Sequence, residues 1–146
     1  MAGSHPVQNR GRQVAALCWR LQPETGTPEI LLVTSLRTRR WILPKGWPMR
    51  GMSSGEAAAM EALEEAGVGG MVSDAPIGRY HYMKENRGRA VPCQVDVYGV
   101  EVRHTLVTWP EKGHRDIIWL SSAEAAERLE EPELRELVRD FQPPAP

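Results

Sequence analysis

Three glutamates, Glu61, Glu64 and Glu65, fall at i, i+3 and i+4 within a stretch that reads as helix. At about 100° per residue, that spacing makes their carboxylates neighbours. Adjacent anions repel, and a helix disfavours them near its C-terminal end, so the row needs compensation. Two readings supply it. Water is the simpler one, because charge-rich helix faces are commonly solvated. A hard divalent cation is the other, since Mg²⁺ takes oxygen ligands, often one or two carboxylates together with substrate phosphates.

The elements that must position these carboxylates are legible on either side. Ser53 suits the N-cap, and Glu56 three residues later completes a capping box. Ala57, Ala58, Ala59, Ala62 and Leu63 favour helix, and Gly67 suits the left-handed residue that ends one. A helical wheel places Ala59, Ala62, Leu63 and Ala66 in an apolar stripe for the core, with the glutamates opposite. Ahead of the helix, Pro44-Lys45-Gly46-Trp47-Pro48-Met49-Arg50-Gly51 sets a special backbone path and carries two cations, Lys45 and Arg50, suited to phosphate.

Loop, helix and register together resemble the signature box of the Nudix hydrolases. Gly46 stands as the first glycine of that box, and Glu61, Ala62, Glu64, Glu65, Gly67 and Val68 fill its second half. Two positions depart: Met52 stands where the box has its first glutamate, and Met60 where it has its arginine. The resemblance implies an α/β fold, an α/β/α sandwich around a central mixed β-sheet. It also implies Mg²⁺-dependent hydrolysis of a diphosphate linkage by water, with Mn²⁺ as a substitute ion. Glu61 and Glu65 would grip the metal, helped by a backbone carbonyl near Lys45 or Gly46. Glu64 would bind a second ion or act as general base. Glu111 is a candidate further carboxylate, in competition with Glu85 and Glu101.

The flanks narrow the likeness. Ala15-Ala16-Leu17-Cys18, then Leu31 to Ser35 with Arg37, then Arg40 to Gly46, and later Arg115, Trp119 and Ala123-Glu124, resemble the diphosphoinositol polyphosphate phosphohydrolase branch. That branch also cleaves dinucleoside polyphosphates. By this similarity Ser35, Arg37 and Arg115 face substrate phosphates. Arg12, Arg39, Lys45 and Arg50 extend a basic rim suited to a small polyphosphate, although Gln13 replaces a basic residue of the branch. The competing reading is a catalytically weakened Nudix-fold nucleotide-binding or regulatory module. Met52 and Met60 favour it; the intact glutamates oppose it.

The whole chain sets wider bounds. At 146 residues it is expected to be a single domain, with residues 1–11 and 142–146 as flexible tails. Eighteen Lys and Arg against 19 Asp and Glu, a net charge of −1, argue against a general nucleic-acid binder. No apolar run is long enough for a membrane span, and the start lacks a signal-like apolar core, so cytoplasmic residence is expected. Cys18 and Cys93 read as buried thiols inside strands. Strands are expected at 13–21, 29–36, 41–43, 76–83, 91–102 and 116–120, with helices at about 122–129 and 132–141. Gly69-Gly70 reads as a break after the central helix, and Lys84 to Ala90 as a charged turn.

Overall fold

A computed structural model describes residues 11–145. The expected lead over residues 1–10, including His5 and Arg10, lies outside them. Among the described residues the elements run β1 (Arg12–Leu21), β2 (Pro28–Thr34), β3 (Trp41–Ile42), β4 (Lys45–Gly46), α1 (Ser54–Ala66), β5 (Val68–Val72), β6 (Gly78–Asn86), β7 (Arg89–Thr105), β8 (Ile117–Ser121), α2 (Ser122–Arg128) and α3 (Pro132–Arg139). The eight strands form one mixed sheet whose central path is β3-β2-β1-β7-β5.

Two long strands hold it together. β1 runs parallel to β7, with Arg12 opposite Gln94 and Trp19 opposite Glu101. On its other edge β1 pairs first with β4, at Val14 and Ala15, and then with β2, from Trp19 to Leu21. β7 likewise pairs with β6 along its first half and with β5 along its second. Gln13 to Trp19 are all buried, which requires cover on both faces of the sheet. Alternation divides them: Ala15, Leu17 and Trp19 join a core with α2 and α3, while Val14, Ala16 and Cys18 join a core with α1. The expected α/β/α sandwich is therefore observed. No helix among the described residues is long and apolar enough to cross a membrane.

Several local expectations need correction. β2 stops at Thr34, and Leu36 is exposed in the turn that follows. Gly69-Gly70 does not simply break the chain; it lies inside strand β5, at a register shift. A Cβ on Gly70 would collide with the Glu101 carbonyl, so glycine there permits the close approach of two backbones. The charged turn contracts to Arg87-Gly88, both at positive φ (55° and 77°), the form a two-residue hairpin favours. The strands therefore continue to Asn86 and resume at Arg89.

Helix α1 follows its sequence at both ends. Ser53 and Glu56 make the reciprocal capping box, and Gly67 closes the helix at φ 69°. Its buried side differs from the expected stripe: Ala57, Ala58, Ala62, Glu65 and Ala66 are buried, while Ala59 and Leu63 are only partly so. The buried face is turned from the expected stripe because Glu65, expected opposite the core, packs into it beside Arg115.

Candidate active site

Strand β4 is two residues long, and it separates two opposed environments. Gly46 faces α1. A Cβ at that position would occupy the space of the Glu61 carboxylate, so glycine is what lets the helix carboxylate sit against the strand. Glu61 hydrogen-bonds Glu65 one turn along the helix. Burial pushes the Glu65 carboxyl up to about 9, against the pull of Arg115, and the shared hydrogen bond and the charge of Glu61 add to the rise. Burial raises Glu61 too, with Glu64 and Glu111 contributing repulsion. Without a cation, burial favours the protonated form of this pair.

Arg115 is the protein's own partial compensation. Its side chain is 9% exposed and lies 3.7 Å from Glu65 Oε2. Its Nε donates to Glu111 Oε1 at 2.8 Å, and Nη1 donates to the Thr34 carbonyl at 3.0 Å. Glu111 is fixed in turn by its backbone N–H, which donates to the Glu64 carbonyl at 3.0 Å. Of the three candidate further carboxylates, Glu111 is the one drawn to the cluster. Glu85 pairs with Arg37 and Glu101 with Arg103, both at exposed positions.

Glu65 Oε1 is buried and has no hydrogen-bond partner. A buried carboxylate oxygen left unsatisfied is costly. The donors around it are hard oxygens, and the cradle is closed on one side by Gly46, so the residues present fit a hard divalent ion. Among the described residues, no group of three or more His, Cys, Asp or Glu side chains already converges as a metal cage. Such a set accords with an ion that takes few protein ligands and completes its shell with water and phosphate.

Lys45 points the other way. Its Nζ donates to Tyr82 Oη at 3.1 Å, approaches Gln13 Oε1 at 3.5 Å, and lies 4.9 Å from the Tyr82 ring centroid. Burial, followed by repulsion from Lys84 and Arg40, brings its ammonium down to about 8. Gln13, which replaces a basic residue of the resembled branch, is buried here as the shared acceptor of Tyr82 and Lys45. Beyond Lys45 a cavity of about 770 Å³ is lined by Trp47, Lys84, Arg87 and Arg89. The last three cations were hidden in the sequence inside an apparent surface turn. Lys84 and Arg89 lie in strands and Arg87 in the turn between them.

The remaining predicted phosphate contacts are dispersed. Arg12 pairs with Asp96 at 3.5 Å. Ser35 Oγ bonds Thr38 Oγ1 and accepts from the Arg40 N–H, shaping the turn between β2 and β3. Arg37 reaches exposed Glu85 at 3.5 Å, bringing that turn beside β6. Arg39 donates to the His114 carbonyl and to Asp116. Arg50 is exposed on the loop ahead of α1. Trp109 packs over Gly67, and His81 pairs with Glu133 at 3.0 Å; both are structural placements.

The NUDIX domain family matches residues 11–141, nearly all of the chain. The chain belongs to the Nudix family. Nudix hydrolase 16, mitochondrial, of Arabidopsis thaliana is 34% identical over 118 residues, covering 77% of this chain and 65% of its own. Diphosphoinositol polyphosphate phosphohydrolase 2 of Rattus norvegicus is 36% identical over 101 residues, covering 68% of this chain and 51% of its own. The Nudix chain thus spans about half to two thirds of the length of these curated relatives. Among solved structures, a C. elegans Ap4A hydrolase superposes with a TM-score of 0.66 at 19% identity, over 89% of this chain and 94% of that one. The NUDIX domain of Shewanella oneidensis NrtR, complexed with ADP ribose, gives 0.65 at 13% identity, over 91% and 86%. Those two likenesses establish the Nudix fold.

Proposed function

We propose that this protein hydrolyses a diphosphate linkage with the help of Mg²⁺, most suitably in dinucleoside polyphosphates or diphosphoinositol polyphosphates. One observation carries the reading: at the Lys45-Gly46 dipeptide, a buried carboxylate oxygen of Glu65 without a partner lies on the Gly46 side and a buried ammonium among other cations on the Lys45 side. The acidic side has a buried oxygen without a partner, and the basic side has a lysine whose ammonium is disfavoured by burial and then by its cationic neighbours. A metal-bound polyphosphate relieves both at once. The relatives' names support the same two substrate classes.

Glu61 and Glu65 hold the ion through carboxylate oxygens, next to the backbone at Gly46. When bound there, the ion neutralises phosphate oxygens and acidifies a water. Arg115 keeps Glu65 and Glu111 in place from the side away from solvent. Glu64, at i+3 from Glu61 on the same helix, would act as general base or bind a second ion. Lys45 and Lys84 receive the remaining phosphate charge, with Arg37 and Arg50 nearer the surface, and Trp47 offers a ring beside them.

The test is a panel of diadenosine tetraphosphate, a diphosphoinositol polyphosphate and ADP-ribose, assayed for product with Mg²⁺, with Mn²⁺ and with chelator. Metal-dependent turnover of one of the first two is expected. Binding of a panel member without turnover under any condition would favour the weakened-module reading, for which Met52 and Met60 are the supporting residues.

A further inference from the structure

A groove of about 780 Å³ opens between α3 and the outer end of the sheet, away from the Lys45-Gly46 strand. Its floor is apolar: Trp19, Ile77, Leu137 and Phe141 line it, and the Trp19 and Phe141 rings meet at 5.7 Å and 52°. Its rim is acidic, carrying Asp74, Glu101, Glu133, Glu136 and Asp140, and no lysine or arginine lines it. Glu101 pairs with Arg103, and Glu133 with His81. Asp74, Glu136 and Asp140 have no ion pair among the described residues. In a chain with 18 basic and 19 acidic residues, this segregation is not a consequence of composition.

A second groove, about 850 Å³, follows the outer face of α1 past Met52, Met60 and Leu63. The two share Val72, Ser73 and Asp74, so they form one continuous channel. Exposed methionines punctuate it, with Met71 56% and Met52 38% accessible. Flexible thioethers of this kind mould to varied apolar partners.

We propose that this channel docks a basic amphipathic segment of a partner protein. Apolar side chains of the segment lie on the Trp19–Phe141 floor and the methionines, while its lysines or arginines pair with Asp74, Glu136 and Asp140. The charge rules out the alternatives in turn. A phosphorylated ligand would meet like charge. A second copy of this chain, docked by the same surface, would set acidic rim against acidic rim. A small polyamine would leave the apolar floor uncovered.

The direct test uses a fluorescein-labelled Leu/Lys amphipathic peptide of about four helical turns, titrated by anisotropy against the full chain. A Ser/Lys peptide of equal charge and a Leu/Glu amphipathic peptide are the controls. Saturable binding of the Leu/Lys peptide alone is expected. It should weaken by about tenfold or more in Glu136→Lys/Asp140→Lys, whose side chains are exposed and whose fold is checked by circular dichroism. Arg89→Glu, on the opposite basic cavity, should not weaken it. Equal binding of the Ser/Lys peptide would reduce the effect to bulk electrostatics and overturn the proposal. So would indifference to the charge reversal, absence of binding, or self-association that Met71→Lys abolishes. Hydrolysis does not enter these readouts, so the docking proposal and the proposed activity fail separately.

Discussion

Helix α1 presents two sides with opposite treatments of charge. Toward β4 and the loop before β8, three glutamates meet a buried arginine, and carboxyls are held in their protonated form by burial. Along its outer edge, where the family's box has a glutamate and an arginine, Met52 and Met60 stand exposed. The difference shows that the two halves of a signature motif are separable. The half beside Gly46 keeps its carboxyls, buried against Arg115. The outer half carries thioethers at both departing positions, and the helix still forms because its caps and alanines suffice.

The largest change expected comes from breaking the charged side. Glu61→Gln or Glu65→Gln should lower metal-dependent turnover by about 10²-fold or more, while circular dichroism shows an intact fold. If hydrolysis survived in both, the carboxylates would be no more functional than the methionines. Next in size is Arg115→Ala. It leaves buried Glu65 and partly exposed Glu111 without their cation, so stability should fall by about 3 kcal/mol, read by urea denaturation. An unchanged midpoint would show that the arginine serves substrate alone.

That pair of residues also marks the limit of what sequence could show. The capping box, Gly67, the eventual sandwich and the register of the glutamates were all local patterns, readable from spacing. The burial of Glu65 was not, because it depends on Arg115, fifty residues away, reaching across Thr34. The type of Arg115 was visible in the sequence, but its partners Glu65, Glu111 and Thr34 were not. Strand β5 was missed because two glycines suggest a break unless the close approach to Glu101 is known. The turn at Arg87-Gly88 was legible, but Lys84 and Arg89 on either side of it belong to strands, because charge hid a hairpin that only the pairing of β6 with β7 defines.

Titration should sharpen the contrast further. In the folded, metal-free protein Glu65 binds its proton up to about 9, against an ordinary value of 4.5. The folded state therefore holds more protons between those limits, so its stability is greatest below the ordinary value and declines as pH rises through the window. Saturating Mg²⁺ should flatten that decline, measurable as Tm against pH with and without the ion. Lys45, lowered to about 8, gives the converse signature in binding. Affinity for a polyphosphate should fall above that pH as the ammonium is lost, and Lys45→Arg should remove this limb of the profile.

The smallest effects belong to the outer side. Met60→Arg, alone and with Met52→Glu, should reduce the Mg²⁺ needed for half-maximal rate by only a few-fold, the double variant more than the single. An arginine there lies one turn from Glu64 and favours its ionised form. No change in metal or pH dependence would mean that this edge of the helix no longer communicates with the carboxylates at all.

The parallel pairing of β1 with β7 has a consequence for how the molecule is made. Arg12 finds Gln94, and Trp19 finds Glu101, across more than half the chain. Contacts so distant in sequence close slowly, because the entropy of a large loop is lost before they form. During synthesis from the N-terminus, α1 and its three glutamates emerge well before the strand that completes the centre of the sheet. Arg115, which must then shelter between Glu65 and Thr34, emerges later still. A nascent chain thus exposes the apolar underside of α1 for as long as the ribosome takes to reach β7, and that interval is when a chaperone has most to protect.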